Sequence, residues 1–259
     1  MSEQLKPVFS HQFEQDIWEV LPDGEKLLIS TRDNENLQVS FSMFDLVERK
    51  FLWKNISFEE SWWISAYDFQ GDVIVFQTYN DTQDIEARSV FGFDINSEEA
   101  LWSIDDVKLN KSNRGMLSIT PLSGEYESFT IDIKTGQEIS ETKDGEALEK
   151  SDNCKFPLHY ESENPHFETL AKFVKSKLGT DLIGSCDYLE VPEFFAIAVN
   201  SKDETGYNLD LFVFKHEGSL LLEKPLDREL KGLASGTFFI VGQALIFVEG
   251  KRNLVFYSF

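Results

Sequence analysis

The side chains best suited to chemistry form one short run of two carboxylates and two indoles. Glu59 and Glu60 precede Trp62 and Trp63, with Ser61 between the pairs. An aromatic ring beside carboxylates suits the binding of a sugar or a cation. The alternative is that both indoles pack inside the fold. If the run opens a strand, alternation places the two indoles on opposite faces. We take Glu59, Glu60, Trp62 and Trp63 as the candidate binding residues.

Carboxylates also raise the possibility of glycoside hydrolysis, which uses two carboxyl groups roughly 5–9.5 Å apart. The candidates near predicted inner strands are Glu59, Glu60, Asp68, Asp187 and Glu190. The chain has 46 acidic residues, so their presence near these strands has little specificity. We therefore predict no catalytic residue and keep a glycoside hydrolase as an alternative.

Other signatures of a metal site or a nucleophile are missing from the sequence. His159 and His166 follow Cys154, but their spacing lacks the tight pairing of a zinc site. His11 and His216 lie far from them along the chain. No Gly-x-Ser-x-Gly elbow and no glycine-rich phosphate loop occurs. We predict neither a metal nor a cofactor.

Charge and composition restrict the partners and the compartment. The 259 residues include 24 bases against 46 acids, a formal net charge of −22, which disfavours nucleic acid and anionic membranes. No apolar run is long enough for a membrane helix, and the first residues resemble no export signal. Cys154 and Cys186 are expected to be reduced, with a bridge between them as the alternative. These features predict a monomeric cytoplasmic protein with a basic protein partner.

An internal repeat predicts the fold. Four segments contain an alternating apolar run, a short polar turn and a second apolar run, which is the pattern of a β-hairpin. An acidic side chain at the end of the first run can cap the turn. In two of the four segments, a tryptophan lies eight residues after this acidic side chain. We expect the tryptophan to pack between neighbouring repeats. The paired positions are Asp45 and Trp53, Asp94 and Trp102, Asp132 and Ser140, and Phe214 and Leu222.

The spacing of the repeats indicates a β-propeller. The aspartates of the first three copies lie 38 to 49 residues apart, a spacing typical of four-stranded blades. The strand count gives five blades in a single domain over residues 1–259, with Val8–Phe13 completing the last blade. Six blades is the alternative if residues 141–186 contain further strands.

One segment interrupts the repeat. Asn164 and Pro165 form a helix start, apolar residues follow at helical spacing, and Gly179 provides a stop. We predict an amphipathic helix over 165–178, within an insertion at about 141–180. Its apolar face is expected to pack on the propeller, and an exposed docking face is the alternative.

The hairpins resemble the blades of quinoprotein-like (PQQ-like) β-propellers. The run from Asp132 to Gly136 matches the turn, and the Asp–Trp pairs match the capping and docking positions. Quinone-dependent dehydrogenases of that group use a vicinal disulfide and Ca²⁺, and this chain has no adjacent cysteines. The resemblance therefore implies the fold without the cofactor. The whole chain is also similar to an uncharacterised bacterial family, a domain of unknown function with a comparable Glu-x-Trp-Trp stretch.

Together these features predict an all-β, five-bladed propeller that acts as a non-catalytic protein-interaction module. The alternative function is the binding of a carbohydrate or another small ligand at Glu59–Trp63. A pocket with convergent polar groups at that stretch would favour the alternative.

Overall fold

The computed structural model describes residues 5–59, 62–79, 86–113, 115–122, 127–139 and 153–259. Within these ranges the chain forms twenty strands and one helix, α1 (Phe167–Leu178). The strands are β1 (Lys6–Gln12), β2 (Asp16–Asp23), β3 (Lys26–Asp33), β4 (Gln38–Asp45), β5 (Lys50–Ile56), β6 (Ile64–Gln70), β7 (Val73–Tyr79), β8 (Arg88–Asp94), β9 (Glu99–Asn113), β10 (Met116–Pro121), β11 (Phe129–Asp132), β12 (Cys154–Lys155), β13 (Leu158–Glu161), β14 (Ser185–Glu190), β15 (Phe195–Lys202), β16 (Tyr207–Phe214), β17 (Leu220–Leu230), β18 (Phe238–Val241), β19 (Ala244–Glu249) and β20 (Asn253–Ser258).

These strands form four sheets in two compact units. The first unit comprises the described residues of Met1–Ile17 and Asn153–Phe259, and the second those of Trp18–Asp152. The all-β prediction is confirmed. The single domain over residues 1–259 stays a prediction.

The second unit contains two sheets. One has the order β2-β3-β4-β5, and the other has the order β11-β10-β9-β8-β7-β6. The long strand β9 belongs to both halves of the six-stranded sheet, since Glu99–Val107 pairs with β8 and Val107–Asn113 pairs with β10. Asp106, with a φ of 54°, lies where the partner changes.

The predicted aspartate caps are present in all three repeats of this unit. In each, one carboxylate oxygen of Asp45, Asp94 or Asp132 accepts from the backbone N–H groups two and three residues further on, at 2.8–2.9 Å. The N–H groups of Ser97 and Asn96 hold the pKa of Asp94 below its usual value. The caps therefore fix the hairpin turns, and at Asp94 the same hydrogen bonds favour the ionised carboxylate.

The two repeat tryptophans pack against the next repeat, as expected. Trp53 Nε1 donates to the carbonyl of Ile95 at 3.0 Å, and Trp102 Nε1 donates to that of Ile133 at 2.7 Å. Each acceptor directly follows the capping aspartate of its own turn. The cap thus sets the position of the carbonyl that the preceding repeat binds.

The first unit contains the other two sheets. Their orders are β1-β20-β19-β18-β12 and β13-β14-β15-β16-β17. The N-terminal strand β1 pairs antiparallel with β20, which confirms that the start of the chain completes the C-terminal sheet. The short strands β12 and β13 were not predicted. They lie in the expected insertion and add to the edges of these sheets.

The predicted helix is also found in the first unit, beginning two residues later than expected. Gly179 ends it in the left-handed region, with a φ of 73°, and donates its N–H to the Lys175 carbonyl. Val174 is fully buried, and the Phe173 ring contacts Phe195 and Phe214 edge-on at 5.5 and 5.1 Å. The apolar face packs on a sheet, as predicted.

Replacing Gly92 tests the docking of Trp102. A Cβ at Gly92, the cross-strand partner of Trp102, would overlap the indole ring. We expect Gly92→Ala to destabilise the protein by about 1–3 kcal/mol through overpacking, and Trp102→Ala by about 3–5 kcal/mol through a cavity.

A double-mutant cycle separates the two effects. In the Trp102→Ala background, Gly92→Ala should cost almost nothing, because the clash is gone. Urea unfolding of the four proteins measures the coupling. Additive effects, or an unchanged stability in Trp102→Ala, would contradict the docking.

Candidate functional site

The second unit contains a pocket of about 640 Å³ whose lining joins aromatic rings to arginines. Pockets of this size accommodate a small ligand or a few side chains of a partner. The described lining consists of Trp18, Glu19, Arg32, Trp62, Trp63, Ile64, Ser65, Ala66, Gln77, Tyr79 and Arg88.

Both sheets of the unit contribute to this pocket. Strands β2 and β3 supply Trp18, Glu19 and Arg32, while β6, β7 and β8 supply the residues from Ile64 onwards. Trp62 and Trp63 lie on the segment between the sheets, just before β6. The site therefore depends on how these two sheets pack.

Arg32 is a cation in contact with two indoles. Its guanidinium carbon lies 3.9 Å from the ring centroid of Trp18 and 5.3 Å from that of Trp62. Its Nε is buried and has no hydrogen-bond partner among the described residues. Desolvation lowers the pKa of Arg32, and the negative charge of Glu19 opposes this effect. The rings stabilise the face of the guanidinium and leave its in-plane N–H groups unused.

Arg88 is positioned by a row of polar side chains across three strands. Gln77 donates through Nε2 to Ser65 Oγ at 3.1 Å and accepts at Oε1 from Arg88 Nη1. The Arg88 guanidinium carbon also lies 4.9 Å from the ring centroid of Tyr79, its cross-strand partner. The pocket thus contains a second arginine that is both stacked and hydrogen-bonded.

Glu19 is the one carboxylate in the described lining of the pocket. Although much of Glu19 is exposed to solvent, its carboxyl group is partly desolvated, and this raises its pKa. The positive charge of Arg32 acts in the opposite direction. No ion pair within 4 Å joins the two side chains in the described structure. Glu19 therefore offsets the charge of Arg32 at a distance, without hydrogen bonding to it.

The structure brings only part of the predicted site together. Trp62 is half-buried and Trp63 is 49% exposed, and both line the pocket. The expected alternation does not apply because β6 begins only at Ile64, so neither indole is part of a strand. Glu59 is exposed and is not part of the lining, and Glu60 lies outside the described residues.

The pocket residues missed by the sequence reasoning come from separate segments. Trp18 lies on β2 and is 64% exposed, which only the structure reveals. Arg32 and Arg88 have no distinguishing sequence context. Their importance appears only when the two sheets meet.

The carboxylates considered for glycoside hydrolysis are held elsewhere. Asp68 accepts from the side chains of Gln70 and Ser112. Asp187 is buried and accepts from Thr237, with His159 Nδ1 at 2.7 Å. The described lining of the pocket includes neither Asp68, Asp187 nor Glu190, and so presents no carboxylate pair.

The cysteines and histidines do not form a site within the described structure. Cys154 and Cys186 are not joined by a disulfide, and His159 contacts Asp187. Among the described residues, no group of three or more His, Cys, Asp or Glu side chains could hold a metal ion. In the same ranges, no helix has the length and apolar character that a membrane span needs.

Comparison with known proteins identifies one family model that matches part of the chain. Residues 20–102 match a family described as a domain of unknown function, DUF4905, and this match covers less than half of the chain. No curated protein matches the chain.

Several solved structures are similar over most of the chain. The N-terminal domain of Nup159 shows 16% identity and a TM-score of 0.33 over 92% of this chain, which spans 61% of that protein's length. The β-propeller domain of the Trilobed protease from Pyrococcus furiosus shows 11% identity and a TM-score of 0.33, over 94% of this chain and 79% of the other. The Dos1 propeller shows 11% identity and a TM-score of 0.26, over 96% of this chain and 54% of the other.

The raised pKa of Glu19 predicts a pH-dependent effect on stability. Folding favours the protonated carboxyl, so ionisation weakens the folded state as pH rises through the folded-state pKa. We expect Glu19→Gln to be more stable than the wild type at pH 7, with a smaller difference at pH 4.

Urea unfolding of both proteins at the two pH values tests this. Glu35→Gln, which removes an exposed carboxylate outside the pocket, serves as the control. A Glu19→Gln protein less stable than the wild type at pH 7 would show that the attraction to Arg32 outweighs desolvation.

The two thiols should differ in reactivity. Cys186 is fully buried, and burial together with the nearby Asp187 charge raises its pKa to about 12. Cys154 is partly exposed. At pH 8 a disulfide exchange reagent should modify one thiol in the native protein and two in denaturant. Native Cys154→Ser should not react. If neither cysteine reacts in denaturant without a reductant, the two cysteines form a disulfide bridge.

Proposed function

We propose that this protein is a non-catalytic interaction module whose recognition site is the pocket around Trp18, Trp62 and Trp63. The observation that carries the proposal is the exposure of Trp18 and Trp63, at 64% and 49%, on one pocket. Tryptophan, tyrosine and arginine are the residues that most often dominate binding energy at protein interfaces. All three types meet here, and covering the indoles would gain free energy.

We infer that the scaffold of this module is a five-bladed, quinoprotein-like propeller. Because β9 pairs in both halves of the six-stranded sheet, that sheet is counted as two blades and the remaining sheets as three. The indole of one repeat bonding to the capped turn of the next supports the repeat assignment.

The net charge of −22 favours a partner with a basic surface, which long-range attraction would steer towards this protein. We also propose that the protein acts as a monomer in the cytoplasm. Steering of this kind predicts that association slows as ionic strength rises.

Selection from a library of displayed random peptides tests the recognition site. Peptides enriched on the wild type should bind at least about tenfold more weakly to Trp18→Ala and Trp63→Ala. Each substitution removes an indole that the bound peptide would cover. Leu158→Ala is the control, because this side chain is 63% exposed but lies outside the pocket.

Each other result has a definite meaning. Peptides that bind all four proteins equally would place recognition elsewhere. Parallel binding to a glycan array, with no enriched peptide, would favour the carbohydrate alternative over the protein-interaction role.

A further inference from the structure

The charge of the pocket is opposite to that of the protein. Its described lining has two arginines and one carboxylate, whereas the whole chain has a net charge of −22. The Arg32 side chain forms no ion pair within 4 Å in the described structure, and its buried Nε has no hydrogen-bond partner there. Glu19 offsets the charge of this partly desolvated cation only at a distance, and a bound anion could pair with the guanidinium directly.

The geometry of Arg32 is compatible with such a partner. Stacking against Trp18 and Trp62 occupies the guanidinium face, and the N–H donors of a guanidinium lie in its plane. A carboxylate can therefore approach the Nη groups of Arg32 from the pocket, whereas the buried Nε is not accessible to it. The second stacked arginine, Arg88, is oriented by Gln77 within the same pocket.

We propose that the pocket binds a carboxylate-bearing side chain of a protein partner, next to an aromatic residue that packs on Trp63. This proposal rests on the proposed function and adds the chemistry of the group that is recognised. The arginines select the carboxylate, and the exposed indole of Trp63 supplies the apolar contact.

Such a partner is complementary to the protein over both long and short distances. A basic surface is attracted by the overall negative charge, and one acidic residue within that surface matches the arginine pocket. The acidic residue would also fix how the partner docks, because a basic residue in its place would be repelled by Arg32 and Arg88. Glu19 lies near Arg32 and competes with the incoming carboxylate.

Two capped dipeptides test the proposal directly. The probes are Ac-Phe-Glu-NH2 and its neutral analogue Ac-Phe-Gln-NH2, titrated at millimolar concentration and followed by NMR of the tryptophan indole N–H groups. We expect the glutamate peptide to bind about tenfold more tightly, because hydrogen bonds to a charged acceptor are stronger.

Variants then assign the effect to Arg32. Arg32→Gln should remove the preference for glutamate, Arg32→Lys should restore part of it, and Glu19→Gln should increase it. Lys111→Gln, which removes the same charge from an exposed position outside the pocket, should leave the preference unchanged. Thermal unfolding of each variant checks that the fold is retained.

The outcomes separate this inference from the proposed function. Equal binding of the two peptides, abolished by Trp63→Ala, would overturn the preference for an anion while keeping the recognition site. Tighter binding of glucuronate than of either peptide would replace the peptide with an acidic glycan. If neither peptide shifts the indole signals, the proposal is wrong, whatever the display selection gives.

Discussion

The second unit depends on one interaction, the hydrogen bond from a tryptophan indole to the backbone of the next repeat. Trp53 and Trp102 each bond to the residue that follows a capped aspartate. Without the cap, the acceptor carbonyl would have no fixed position, and without the indole, the repeats would lose this contact and keep apolar packing and side-chain bonds such as that of Lys26 to Asp72. Local turn chemistry and packing between repeats are therefore coupled through two side chains per repeat.

This coupling explains why the pocket exists where it does. Trp53 lies on β5, in the sheet that supplies Trp18 and Arg32, and its acceptor Ile95 follows β8, which supplies Arg88. The same docking that aligns the two sheets thus brings their pocket residues together. The core around this contact is aromatic, with the Phe93 ring edge-on to Trp53 at 6.2 Å. Because the Trp53 contact holds the two sheets together, the indoles that line the pocket can stay exposed while the core beneath them remains packed.

The sequence was informative where a signal repeats and uninformative where residues meet only in space. The hairpin pattern, the caps at Asp45 and Asp94 and the helix could be predicted because each is encoded within a few residues. Trp62 and Trp63 were found because adjacent tryptophans are rare. Arg32 could not be found, since its setting is created by β2 and by the segment before β6. The choice between five and six blades stayed open because residues 141–186 show no repeat pattern, and the strands β12 and β13 found there are too short to produce one.

The setting of Arg32 is difficult to explain by stability alone. Cation–π contacts with two indoles contribute roughly 0.5–2 kcal/mol, but they act on the guanidinium face and leave the buried Nε without an acceptor. A leucine or methionine could pack against Trp18 and Trp62 without that cost. With 46 acidic residues in the chain, a counter-charge could easily have been placed beside Arg32, yet Glu19 forms no ion pair with it within the described structure. An arginine that lines a pocket and has no ion-pair partner in the described structure suits a site in which the ligand brings the acceptor.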